Sequence, residues 1–120
     1  MEETLTFAEL VFHAERFCLR IESAVADSAP APDDDEELRS KIAQCRGLIA
    51  LLQKAFEEDE LKIENASVRG NFRCLVLALM WVAFRARRAL DHRIFRMLVL
   101  IESGFTYLLV KRQLGRSDCN

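Results

Sequence analysis

The sequence predicts an all-α fold: a four-helix-bundle-like single domain that dimerises through its C-terminal helices. Three observations carry this expectation. The 120 residues include only four Gly and two Pro, while Ala, Leu, Arg and Glu are plentiful, a mix that favours helix over sheet. Apolar residues recur at steps of three and four through four separate stretches, as amphipathic helices require. The last two of those stretches are apolar on both sides, more than the inside of one small bundle can cover. The length suits one domain, since domains usually run to roughly 100–150 residues, and a hydrophobic content of 51% is enough for a core.

The first helix is placed at about residues 5–27. Thr6 and Glu9 have capping-box spacing, which would start it at Phe7. Phe7, Leu10, Val11, Ala14, Phe17, Cys18, Ile21 and Val25 form one stripe, and Phe12 and Leu19 form a second small ridge off it. Residues 28–36 read as a flexible acidic linker, because Pro30 and Pro32 stop the helix and the acid run repels itself. Those carboxylates also suit the N-terminus of a second helix, placed at about residues 35–60. Its seam is Leu38, Ile42, Cys45, Ile49, Leu52 and Phe56, widened by Leu48 and Leu51. The acidic run Glu57–Glu60 is disfavoured at a helix C-terminus, so this helix is expected to continue toward Leu61, with a break near Asn65–Ser67.

The third helix is placed at about residues 68–90, starting at Val68 or Asn71. Phe72, Leu75, Val76, Leu79, Val82, Ala83 and Ala86 make one face, and Cys74, Leu77, Trp81 and Phe84 the other. Apolarity all round predicts central burial. Its uninterrupted apolar run, Cys74 to Phe84, is 11 residues, short of the roughly 20 that cross a bilayer. The fourth helix is placed at about residues 91–115, with Asp91 as N-cap and Gly115 as C-cap. Ile94, Met97, Leu98, Ile101, Phe105, Leu108 and Leu109 form its main stripe, with Val99, Leu100, Tyr107 and Val110 on the other side. One continuous helix through both stretches is the alternative; a compact bundle requires a turn near Ala89–Asp91.

Charge is divided unevenly. Residues 1–60 carry a formal −9 and residues 61–120 a formal +7, leaving −2 overall. Arg85, Arg87, Arg88, Arg93 and Arg96 crowd one stretch of the basic half. With Trp81, on which Arg85 could stack, they are the candidate site for an anion, an acidic partner or nucleic acid. Pairing with Asp33–Glu37 or Glu57–Glu60, within one chain or between subunits, is the structural alternative. A helix carrying Trp81, Arg85 and Arg88, extended by His92 and Arg96, could meet the phosphates of a duplex.

The candidate apolar interface comprises Phe12, Leu19, Leu77, Phe84, Val99, Tyr107 and Val110. The expected partner is a second copy or another protein; duplex nucleic acid is the alternative. A membrane surface, met by the fourth helix with Arg93, Arg96, Lys111 and Arg112, ranks below both.

No Gly-rich phosphate loop, zinc-binding spacing or nucleophile–base set occurs, so no catalytic residue, metal, cofactor or small-molecule substrate is assigned and an enzyme is not expected. His13 is expected in solvent beside Glu9 and Arg16. Cys18, Cys45, Cys74 and Cys119 are spread evenly and read as core thiols plus one tail thiol. The acidic start Met-Glu-Glu-Thr lacks the character of a targeting peptide, giving an expectation of a cytoplasmic or nuclear protein. An adaptor, a regulatory subunit or a viral accessory protein would suit this profile.

Overall fold

A computed structural model describes residues 5–27 and 36–118, with side chains through Gly115. The protein is all-α, with four α-helices and no strand among the described residues. They are α1 (Phe7–Asp27), α2 (Glu36–Glu57), α3 (Ala66–Arg85) and α4 (His92–Asp118), with a 3₁₀ turn over Arg87–Ala89 between the last two. The linker expected at 28–36 falls almost wholly outside the described residues.

Each boundary has a local cause. The Thr6 amide donates to Glu9 Oε1 at 2.9 Å and the Glu9 amide to Thr6 Oγ1 at 3.1 Å, the reciprocal capping box expected at α1. Those bonds, backbone first, hold the Glu9 carboxyl below the usual carboxylate range.

α2 ends at Glu57, earlier than expected. The Glu60 amide donates to the Ala55 carbonyl at 2.7 Å and the Asp59 amide to the Phe56 carbonyl at 3.1 Å, the two bonds of a Schellman motif. Asp59 takes the left-handed conformation that closes it, φ 58°. The motif satisfies the last carbonyls, and this outweighs the dipole argument for continuing.

α3 starts earlier than expected, because Asn65 Oδ1 accepts from the Ser67 and Val68 amides at 3.0 and 3.2 Å. It ends at Arg85, short of residue 90. Asp91 caps α4 as expected, accepting from the Arg93 and Ile94 amides at 2.9 and 3.2 Å. Gly115 does not stop α4, since no glycine takes a positive φ and the helix runs on to Asp118.

The helices run up, down, up and down. Glu22 pairs with Arg46 and Gln53 with Glu15, which sets α1 antiparallel to α2. Lys41 stands over the Trp81 ring, which sets the start of α2 beside the end of α3. Phe105 packs on Phe72 with ring centroids 4.7 Å apart and on Phe7 at 6.3 Å, so α4 closes the ring of helices against α3 and α1.

The core runs through the predicted stripes. Leu10, Phe17, Ile21, Leu52, Phe72, Leu75, Leu79 and Ile101 are fully buried. Gly104 faces α1: a Cβ there would lie 2.6 Å from Leu10 Cδ2. The buried thiols Cys18 and Cys45 are pushed up to about 11 and about 12, chiefly by desolvation. Cys74, expected in the core, is exposed, and Cys119 lies outside the described residues.

Central burial of α3 does not hold. It buries the flank from Val68 to Ala83 and exposes another, because in a ring of four helices each keeps an outer side. The 11-residue run also understates it. α3 is long and apolar enough to cross a membrane, as is the core helix of many a folded domain, and 44% of its apolar 18-residue stretch is buried against the other helices.

Candidate functional site

The residues singled out in the sequence fall on three separate surfaces. The first is the outer side of α3 and α4. At 100° per residue Leu77 and Phe84 lie within about 60° of Trp81, which meets Lys41 of α2, and together they mark the outer flank of α3. That flank carries Arg73, Leu77, Met80 and Phe84 at steps of four, three and four, all exposed, with Phe84 at 67% and Leu77 at 59%. Gly104 marks the α1-facing side of α4, which places Val99, 61% exposed, on the α3 side. Met80 belongs to this stripe and was missed because it was not assigned to either face of the helix.

The second surface lies between α1 and α2. Phe12 and Leu19 are exposed on the flank of α1 that also carries Glu15 and Glu22, hence on the α2 side. Ala8, Val11, Phe12, Glu15, Gln53, Phe56 and Leu61 line a groove of about 250 Å³ there. Phe56 was expected in the seam of α2 but is exposed at the helix end. Its place directly before the acid run was the only sequence signal.

The third surface is the C-terminal part of α4. Leu100, Tyr107, Val110 and Leu114 are exposed, and no residue from 106 to 115 is buried. Phe105 is level with Phe7, the first residue of α1. At 1.5 Å per residue α4 therefore continues roughly 20 Å past the start of α1.

The arginines gather at the opposite end of the bundle, around the 3₁₀ turn. Arg85, Arg87, Arg88, Arg93 and Arg96 are all exposed. They do not form the single helical row expected, because α3 stops at Arg85 and a new helix starts at His92. The cation over Trp81 is Lys41, at 5.9 Å. Arg87 folds back on Phe84, with its guanidinium carbon 4.5 Å from the ring centroid and Nη1 donating to the Phe84 carbonyl at 3.0 Å. Glu57–Glu60 lie at the far end of the bundle, whereas Glu36 and Glu37, at the start of α2, are exposed.

His13 is half-buried with its ring against Phe12, so it is less solvated than expected. No group of three or more His, Cys, Asp or Glu is placed to hold a metal ion among the described residues. Comparison with known proteins adds no relative: no family model matches, and neither the curated proteins nor the solved structures yield a match.

Proposed function

We propose that this chain is a non-enzymatic helical protein–protein interaction or regulatory module that self-associates through its C-terminal helices. The observation that carries the reading is the amount of exposed apolar surface. Twelve large hydrophobic side chains are exposed among the described residues. They lie on separate surfaces; at roughly 100 Å² for each half-exposed large side chain, the four of the α3–α4 stripe present about 400 Å², the size of a monomer's largest apolar patch, which is often functional. Scattered single residues need no explanation, but Leu77, Met80 and Phe84 form a continuous helical stripe with Val99 on the neighbouring helix. Arg73 and Arg87 at its two ends give it a polar rim.

Sedimentation velocity on the wild type and on Leu77→Glu with Phe84→Glu tests this. Both positions are exposed, so the fold should survive, which circular dichroism checks. A wild-type dimer that the paired substitution dissociates is expected. A monomeric wild type counts against the reading; a dimer indifferent to the substitutions counts against the α3–α4 stripe as its contact.

A second reading is duplex nucleic-acid binding, favoured by five exposed arginines at one end of the bundle. Gel shifts with double-stranded RNA and DNA at two salt concentrations test it. Binding that weakens with salt and is lost in Arg85→Ala with Arg88→Ala would support it; salt-independent binding, or binding that survives both substitutions, would reject it.

A further inference from the structure

We propose that the C-terminal arm of α4, Thr106–Asp118, docks in the α1–α2 groove of a second copy, and that the second copy's arm returns the contact. This rests on the self-association reading alone: it places the contact on α4 and the α1–α2 groove, away from Phe84, so a dimer formed this way is indifferent to Leu77→Glu with Phe84→Glu.

The apolar side of the arm is left exposed. From 106 to 115 only Leu108, Leu109 and Arg112 are even partly covered, while Tyr107, Val110 and Leu114 stand in solvent at steps of three and four. That is the spacing by which a helix lays anchors into a groove. An isolated helical segment this short is marginal in water, so a partner would stabilise it.

The groove is shaped for such anchors. At about 250 Å³ it is smaller than the roughly 300–1,000 Å³ that takes a small-molecule ligand. It is open and mostly apolar, with Phe12 on one wall, Phe56 on the other and Leu61 at one end. Its only charged lining group, Glu15, accepts a hydrogen bond from Gln53 across the groove.

The arm cannot fill the groove of its own chain. Gly104 lies against Leu10, so α4 passes along one flank of α1, while the groove opens on the flank that faces α2. A continuous helix through Phe105 to Asp118 does not turn around α1 to reach it.

Charge gives the second argument. Phe56 and Leu61 bracket Glu57, Glu58, Asp59 and Glu60, all exposed, so the end of the groove is acidic. The arm carries Lys111, Arg112 and Arg116 against the single acid Asp118. The basic arm and the acidic rim attract between copies and fix which way the arm lies. Because Phe105 packs on Phe7, arm and groove sit at the same end of each molecule. A two-fold axis beyond that end gives each copy one arm and one groove to exchange, so the assembly closes as a dimer.

The test uses two full-length variants, Leu114→Glu in the arm and Phe12→Glu in the groove. The positions are 62% and 54% exposed, so folding should persist. Phe56→Glu and Val110→Glu replace them if circular dichroism shows a loss of helix. Sedimentation of each variant alone is expected to show dimer affinity lowered by about 30-fold or more, as for interface anchors. An equimolar mixture is expected to recover dimer, because the heterodimer keeps one intact arm in one intact groove. Two variants that dimerise like the wild type, or a mixture that recovers nothing, overturn arm exchange; if Leu77→Glu with Phe84→Glu still dissociates the wild-type dimer, the broader reading stands. A wild type that stays monomeric overturns both.

Discussion

Replacing Gly104 by alanine places one methyl against the fully buried Leu10. The added Cβ would lie 2.6 Å from Leu10 Cδ2, whereas carbon atoms in contact sit about 3.5–4.0 Å apart. One of the two helices, or the Leu10 rotamer, must therefore yield by about 1 Å. Overpacking of this kind costs about 1–3 kcal/mol. Alanine also gains about 1 kcal/mol of helix propensity over glycine, so the net effect is a loss of up to about 2 kcal/mol.

Gly47→Ala removes the ambiguity, because that site is exposed in the middle of α2 with nothing within 4 Å of the new Cβ. It gains the propensity alone. Subtracting the two isolates the steric contribution, expected at about 1–3 kcal/mol. Urea unfolding at fixed protein concentration reads both from the midpoints, provided the slope is unchanged. Leu10→Val removes both δ-carbons and is expected to relieve the Gly104→Ala penalty by at least about 1 kcal/mol in a double-mutant cycle. If Gly104→Ala stabilises as much as Gly47→Ala, the close approach of α1 and α4 is refuted.

Two further outcomes follow from local geometry. Asp59→Gly is expected to stabilise by about 1 kcal/mol, because glycine adopts the left-handed conformation freely and the change removes an acid from a helix C-terminus; thermal unfolding should rise by about 4 °C. Cys18 and Cys45 hold their protons to about 11 and about 12 when folded, so the unfolded chain ionises first. Their stabilising contribution is complete below the ordinary thiol range and is lost as pH rises from about 9 toward the folded values, by up to about 1.4 kcal/mol per pH unit for each thiol. Cys45→Ala should flatten that fall relative to the wild type. In the native protein at pH 8 a thiol reagent should modify Cys74 at a solvent-like rate and leave Cys18 and Cys45 untouched.

Local signals were legible in the sequence where a few neighbouring residues decide the outcome. Thr6 with Glu9 and Asp91 before His92 named their helix starts, and the stripes through Leu10, Phe17, Leu75 and Ile101 named the core. The end of α2 was not legible, because a Schellman turn closed by Asp59 rather than glycine has no compositional mark. Nor was the environment of Trp81: its neighbour Lys41 lies 40 residues away, and only the antiparallel pairing of α2 with α3 brings them together. All seven apolar interface candidates are exposed, but they lie on three surfaces rather than one, since the bundle turns each helix's outer stripe in its own direction. The groove needs Phe12, Phe56 and Leu61 at once, from two helices and a loop, and no single stripe contains them.

Sedimentation equilibrium over a concentration series tests self-association most directly. The mass is expected to rise with concentration to twice the 13.8 kDa of the chain and level there. A single species of 13.8 kDa up to several hundred micromolar would contradict it.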